Sequence, residues 1–194
     1  MPEPITYECI NCGFCCNHLL IERQGVREGL PLLPEEVGLF RKDQVRPGYG
    51  VGKSPRDLDF KIIAYQMRLN SCPHRRLGGC SMHAYRPAIC RSYPFVPVIE
   101  QGNRVVKTFD MTCTTLKDRI KDYPNNAVPV MASSLDVENE YYPRVAAITE
   151  RLLKDLDEAW FYNLKTGLWT PFKKMLPAQV YERPDTQSNG TPQS

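Results

Sequence analysis

The sequence predicts an α+β fold with a small antiparallel sheet, cysteine-rich metal-binding loops at one end and a long packing helix near the C-terminus. Three observations support this prediction. Short β-prone runs occupy the first part of the chain, eight cysteines fall into two groups among them, and a periodic apolar stripe follows. With 194 residues, 42% of them hydrophobic, the chain is long enough to bury one core.

The first elements surround the cysteines. Residues 19–22 predict a short strand, and residues 34–40, with proline and acidic residues in the first turn, predict a short helix that packs at the periphery. Residues 46–57 resemble a phosphate-binding loop, but Pro47 stands where such a loop needs its first glycine. This segment is therefore predicted to be a mobile loop without a nucleotide. The alternation in residues 60–69 predicts a strand.

A hairpin is predicted next. The β-prone runs Phe95–Glu100 and Arg104–Phe109 are separated by Gln101-Gly102-Asn103, a typical turn sequence. Cys113 lies just beyond the second run. An antiparallel strand would therefore carry this last cysteine back toward the others.

The long helix is predicted from Glu140 to Asn163, with Pro143 tolerated in its first turn. Its core-facing stripe has residues at spacings of three and four, namely Val145, Ile148, Leu152, Leu156 and Trp160. A shorter helix is predicted after Pro171. We expect residues 1–181 to form a single cysteine-cluster domain and residues 182–194 to be a disordered polar tail.

Composition excludes several classes of function. The net charge is only +3, and Lys and Arg are spread along the chain, which predicts no nucleic-acid binding. The chain has neither a signal segment nor an apolar run long enough for a membrane span, so we expect a cytoplasmic protein. Eight cysteines in a reducing compartment predict metal binding or thiol chemistry rather than structural disulfides.

The first cysteine group has the spacing C-x2-C-x2-C at Cys9, Cys12 and Cys15, which is how ferredoxins hold a [4Fe-4S] cluster with a distant fourth cysteine such as Cys90. Gly13 lies where a tight loop needs a positive φ or a close approach. The adjacent Cys16 is expected to point away from Cys15, as in an extended chain. It would serve a second metal, be buried as a small apolar residue, or act in redox exchange.

The second group is spaced more widely along the chain. Eight thiolates would fill two four-cysteine zinc sites, one [4Fe-4S] cluster plus one zinc, or one cluster with spare thiols. The predicted metal ligands are Cys9, Cys12, Cys15, Cys16, Cys72, Cys80, Cys90 and Cys113. His74 and His83 are alternative ligands for a Cys3His zinc site, and Arg86 and Arg91 are placed to offset thiolate charge near Cys90.

Several motifs in order resemble one family. They are Cys9-x2-Cys12-Gly13-x-Cys15-Cys16, then Cys72-Pro73, Gly79-Cys80-Ser81-Met82 and Tyr85-Arg86-Pro87-Ala88-Ile89-Cys90-Arg91. Over residues 7–95 the chain resembles the CxxCxxCC family of zinc- or iron-chelating domains, with Cys113 as its trailing cysteine. The sequence departs from the family pattern at His74, Arg75 and His83. The resemblance extends to flagellin lysine N-methylases, although no glycine-rich motif for S-adenosylmethionine is present.

Three functions follow from these observations. The first is an iron–sulfur protein that transfers electrons or supports the metal chemistry of a partner. The second is a zinc-stabilised module that binds a protein partner, and the third, implied only by the resemblance, is a protein-lysine N-methylase. The ferredoxin-like spacing favours iron over zinc. No hydrolase or kinase motif is present, no catalytic residue is identified, and whether the chain is an enzyme stays open.

Overall fold

The computed structural model describes residues 5–7, 9, 10, 12–23, 25–100, 104–110, 112–120, 130–132 and 141–176. Its strands are β1 (Ile5–Tyr7), β2 (Ile21–Arg23), β3 (Val26–Glu28), β4 (Pro31–Leu32), β5 (Val45–Val51), β6 (Lys61–Met67), β7 (Arg75–Arg76), β8 (Gly79–Cys80), β9 (Phe95–Glu100), β10 (Arg104–Phe109), β11 (Val130–Ala132), β12 (Ala159–Asn163) and β13 (Leu168–Pro171). Its α-helices are α1 (Phe14–Asn17), α2 (Ala88–Ser92), α3 (Thr114–Ile120) and α4 (Tyr142–Lys154). The predicted mixture of helices with small antiparallel sheets is confirmed.

The largest sheet is five-stranded and antiparallel, in the order β13-β12-β5-β6-β4. Along β12 buried and half-buried residues alternate, which is the pattern of a strand with one face on the core. Helix α4 packs on this face through Val145, Ile148 and Leu152, next to Phe161 of β12. A second apolar cluster, which includes Leu32 and Met67, continues the core toward the cysteines, because Cys72 packs against it.

Residues 45–51 form strand β5, so the prediction of a mobile loop over residues 46–57 was wrong for its first half. Proline is tolerated in this strand because β12 pairs only with the stretch from Tyr49 to Val51, beyond Pro47. The register with β6 shifts between Pro47 and Tyr49, and the Pro47 carbonyl accepts a hydrogen bond from Gln66 Nε2 at 2.8 Å. Sheet pairing therefore overrides the turn-like composition of this segment.

The C-terminal end of the long helix was predicted wrongly. Helix α4 stops at Lys154, a 3-10 turn covers Leu156–Glu158, and the chain then enters β12. Trp160 lies in this strand, and its Nε1 donates to the Gly52 carbonyl at 2.9 Å. The apolar stripe led to a helix prediction that was too long, because a spacing of four residues also fits the alternation of a strand and aromatic residues favour strands. The predicted first residue, Glu140, lies outside the described residues.

The remaining predictions for local structure hold in outline. Strands β6 and β9–β10 form as predicted, although the turn at residues 101–103 lies outside the described residues. A 3-10 helix, Phe172–Met175, follows Pro171. The predicted tail, residues 182–194, also lies outside the described part. Among the described residues, no helix is long and apolar enough to span a membrane.

The short helix predicted over residues 34–40 is a 3-10 helix, Pro34–Leu39, and it is not peripheral. Its Glu36 is 9% exposed, and the two carboxylate oxygens accept hydrogen bonds from two backbone amides. One is Leu33 N at 2.9 Å, at the start of the same helix, and the other is Ala88 N at 2.7 Å. Because Ala88 opens α2, which carries Cys90, this carboxylate fixes the position of one cysteine.

We expect Glu36→Ala to destabilise the protein by about 2–5 kcal/mol, because it leaves two buried N–H donors without acceptors. Urea unfolding at neutral pH measures this change. The control is Glu35→Ala, since Glu35 is exposed and forms only a surface ion pair with Arg144. Equal losses in the two variants would contradict the bracing role of Glu36.

Candidate metal centre

The N-terminal cysteines lie on a tight loop that leads into one helical turn. Cys9 and Cys12 are exposed, whereas Cys15 and Cys16 lie in α1 and are half-buried. Gly13 precedes this helix with φ of +77°, in the left-handed region that glycine adopts without strain. The predicted need for glycine at this position is confirmed.

Arg75 explains a second requirement at the same position. A Cβ atom placed on Gly13 would lie 2.3 Å from Arg75 Nε and 2.7 Å from Arg75 Cζ. The guanidinium therefore lies directly against the cysteine loop. The sequence singled out Arg75 only as a departure from the family pattern, and nothing in the local sequence indicated this long-range contact.

Backbone hydrogen bonds join the two cysteine groups. The Cys72 amide donates to the Cys16 carbonyl at 2.7 Å, and the Leu19 amide donates to the Asn70 carbonyl at 2.9 Å. Strands β7 and β8 then form a short hairpin in which Arg75 pairs with Cys80. The wide spacing of the second group is thus closed by secondary structure, and Cys80 folds back beside Cys72.

Cys90 and Cys113 are contributed by later elements of the chain, α2 and the segment after β10. Cys90 lies in α2, half-buried as a residue, with its thiol enclosed between its neighbours. Cys113 is 7% exposed and follows the β9–β10 hairpin. Both Cys113 and Cys15 are near enough to Tyr93 to act electrostatically on its hydroxyl, while burial is the main cause that raises the pKa of Tyr93.

Cys15 and Cys16 form a hydrogen-bonded thiol pair, so the prediction that they point apart was wrong. The chain here is helical and not extended, so adjacent side chains differ in direction by about 100° instead of pointing to opposite sides. The hydrogen bond from Cys15 lowers the pKa of Cys16 to about 6, and the cations Arg75 and Arg86 act in the same direction. The same bond, with burial, raises the pKa of Cys15. The hydrogen bond thus favours the thiolate form of Cys16 over that of Cys15.

Cys72 and Cys90 resist ionisation. Burial raises the pKa of both thiols, and the neighbours Cys16 and Cys80 raise it further in each case. Arg86 opposes this effect at Cys90. A bound cation would reverse the balance, because it stabilises the thiolate forms, whose mutual repulsion opposes ionisation in its absence.

The thiols are neighbours but do not form a ready-made coordination sphere. Within the ranges that the structure describes, no three side chains of Cys, His, Asp and Glu are arranged to hold a metal ion. None of the eight cysteines is in a disulfide. Soft sulfur donors, with two arginines beside them, fit iron or zinc chemically. Metal sites are commonly completed only when the ion binds.

The histidines are less suited than the thiols. His74 Nε2 is 3.1 Å from the Leu39 carbonyl oxygen, and its ring packs on Phe40. His18 Nδ1 is 2.9 Å from the Phe14 carbonyl oxygen, with its ring stacked on Phe14. Both rings are thus engaged in the fold, whereas His83 is exposed.

The two arginines that flank Cys90, Arg86 and Arg91, make different interactions. Arg86 acts electrostatically on Cys16 and Cys90, as its position in the sequence predicts. Arg91 instead hydrogen-bonds to the Tyr141 hydroxyl and lies over the Tyr141 ring, 4.5 Å from its centroid. Arg91 therefore ties α2 to the start of α4.

Comparisons with known proteins give one match. The family model CxxCxxCC, described as "Putative zinc- or iron-chelating domain", matches residues 8–114. No curated protein and no solved structure matches the chain. The relation to flagellin lysine N-methylases stays a prediction. The matched range covers more than half of the chain and contains every cysteine described above, and the chain therefore belongs to the CxxCxxCC family.

Proposed function

We propose that this chain is a metal-binding protein that holds an iron–sulfur cluster and a second, four-thiolate metal site, and that it has a redox or accessory role. The observation that carries the proposal is the electrostatic interaction among four cysteines from α1, the loop before β7, β8 and α2. Cys72 interacts with Cys16 and Cys80, and Cys90 interacts with Cys16, Cys72 and Cys80.

These interactions favour a division of the eight cysteines into two sets. The inner set comprises the four mutually interacting residues, Cys16, Cys72, Cys80 and Cys90. The outer set comprises the remaining four, Cys9, Cys12, Cys15 and Cys113. Cys15 interacts with Cys16 and Cys90 of the inner set as well as with Cys9, so the two sets are adjacent, and Cys15 is assigned to the outer set by the C-x2-C-x2-C spacing. Both Cys15 and Cys113 act on Tyr93, which supports the place of Cys113 beside Cys15. Each set has the four donors that a tetrahedral zinc site or a [4Fe-4S] cluster takes.

The outer set is the better candidate for the cluster. Its first three cysteines have the C-x2-C-x2-C spacing, and Cys9 and Cys12 are exposed to solvent. A [4Fe-4S] cluster supplies one-electron chemistry when bound, and an exposed edge suits exchange with a partner. The inner set is half-buried and contacts the core at Cys72, which suits a structural zinc.

The chain's own residues prepare the thiols for ligation. Arg75 and Arg86 favour the Cys16 thiolate, and Arg86 also favours the Cys90 thiolate. The pKa values of Cys15, Cys72 and Cys90 are raised, so these thiols must lose their protons when they ligate a metal. Metal binding is therefore expected to release protons and to weaken in acid.

Metal and acid-labile sulfide analysis of protein purified without oxygen tests the proposal. We expect about four irons and four sulfides per chain, with about one zinc, and a brown colour. About two zincs per chain without sulfide would contradict the iron–sulfur cluster and would favour a zinc-stabilised binding module instead. Protein that takes up neither metal would contradict metal binding by this chain.

A further inference from the structure

A cavity of about 400 Å³ opens beside Cys80, between the β7–β8 hairpin and the 3-10 helix His83–Tyr85. Its wall includes Arg76, Leu77 and His83 as well as Cys80. Cys80 of the inner set thus borders an open cavity that is also lined by a cation and an imidazole. Neither of these two groups is assigned a role in the proposed metal sites.

Arg76 is held in place along one edge of its guanidinium. Its Nη1 donates to the Pro73 carbonyl at 2.7 Å and to the Arg75 carbonyl at 3.0 Å. In the part of the chain that the structure describes, Arg76 forms no ion pair, and its Nε and Nη2 donate no hydrogen bond. Two adjacent N–H donors of an oriented guanidinium match the two oxygens of a carboxylate.

The charge around the cavity favours an anion. Between Phe60 and Ile99 the sequence contains no Asp or Glu. The same stretch contains six basic residues, which are Lys61, Arg68, Arg75, Arg76, Arg86 and Arg91. Arg75 and Arg86 act on the thiolate of Cys16, which leaves Arg76 as the cation that lines the cavity. None of the described residues that line the cavity is Asp or Glu, so Arg76 supplies the charge in its wall that attracts a carboxylate.

We propose that this cavity is a carboxylate-binding site anchored by Arg76. The carboxylate belongs either to a free polycarboxylate, such as a chelator that carries a metal, or to an Asp or Glu of a protein partner. In both cases the bound group stands beside Cys80. Leu77, whose side chain is fully exposed at the hairpin tip, offers an apolar contact that only the larger ligand uses.

Isothermal titration calorimetry on the full chain at low salt tests the site with two probes. The first is citrate. The second is the capped peptide Leu-Asp-Glu-Phe, with Leu-Asn-Gln-Phe as its neutral control. We expect Arg76→Gln to weaken binding of the preferred probe about tenfold, because it removes the charge and the forked donors. Arg68→Gln removes an exposed arginine outside the cavity, and we expect it to change binding little.

The variant Leu77→Ser distinguishes the two sources of the carboxylate, a free polycarboxylate and a protein partner. Citrate binding that survives this substitution identifies a free carboxylate, whereas peptide binding that weakens with it identifies a protein partner. The site is disproved if neither probe binds, if the neutral peptide binds equally, or if Arg76→Gln and Arg68→Gln behave alike. Arg76 is not a proposed metal ligand, and metal content is measured before and after each titration, so that weaker binding by Arg76→Gln at unchanged metal content separates the carboxylate site from the metal sites.

Discussion

Replacing Cys16 with serine is expected to remove the metal of the inner set and to destabilise the whole cysteine-bearing end of the protein. Cys16 interacts with Cys15, Cys72 and Cys90, and its carbonyl accepts the Cys72 amide. Serine keeps the backbone bond but offers a poor donor to a soft metal. We expect the loss of about one zinc per chain and a lower midpoint in urea unfolding.

Cys12→Ser is the matched control. Cys12 is exposed and belongs to the outer set, so its loss should remove iron and sulfide while the inner metal remains. Metal analysis of the two variants, purified side by side, separates the sets. Identical losses in both variants would contradict two sites, and full metal content in both would contradict the ligand assignment altogether.

Gly13→Ala is expected to disrupt the outer set although it replaces no ligand. Two costs add at this position. The left-handed φ of +77° costs a residue with a Cβ about 1–2 kcal/mol. The new methyl group would also stand 2.3 Å from Arg75 Nε, so the guanidinium must leave the cysteine loop. We expect reduced iron content and a loss of stability beyond the backbone cost alone.

Gly25→Ala isolates the backbone cost. Gly25 has nearly the same φ, +79°, but no atom lies within 4 Å of an added Cβ. The excess loss of stability in Gly13→Ala over Gly25→Ala therefore measures the collision with Arg75. In the double variant Gly13→Ala, Arg75→Ala this excess should largely disappear, as urea unfolding would show. An excess that persists without the Arg75 side chain would refute the proposed contact.

Local patterns were read correctly where one pattern has one structural solution. The alternation that predicts β6 and the turn sequence of the β9–β10 hairpin led to the observed strands. Errors arose where a local pattern fits two solutions. Pro47 suggested a loop, but its partner β6 and the absence of β12 beside it permit a strand. Trp160 continued a helical stripe, but pairing with β5 on one side and β13 on the other gave it a place in β12.

For the candidate site, too, the local sequence pattern was compatible with more than one structure. Which residues carry the chemistry was evident from the sequence, because eight cysteines with such spacing have few other uses. How they are grouped was not, since counting thiols is compatible with several metal sites. The proposed grouping depends on α1 turning Cys16 toward Cys15, and on the amide of Cys72 binding the carbonyl of Cys16.

The sequence by itself determined the family, the donor atoms and the need for glycine at position 13, because each depends on residues close together in the chain. Only the tertiary structure decided that Arg75 lies on Gly13, that Glu36 braces α2 and that Arg76 borders an open cavity beside Cys80. The first two are contacts between segments that are far apart in sequence, and the third is an open cavity formed by the way residues 76–83 fold back on themselves. Spacing carries no information about such contacts, since packing and hydrogen bonding fix them only when the whole chain folds.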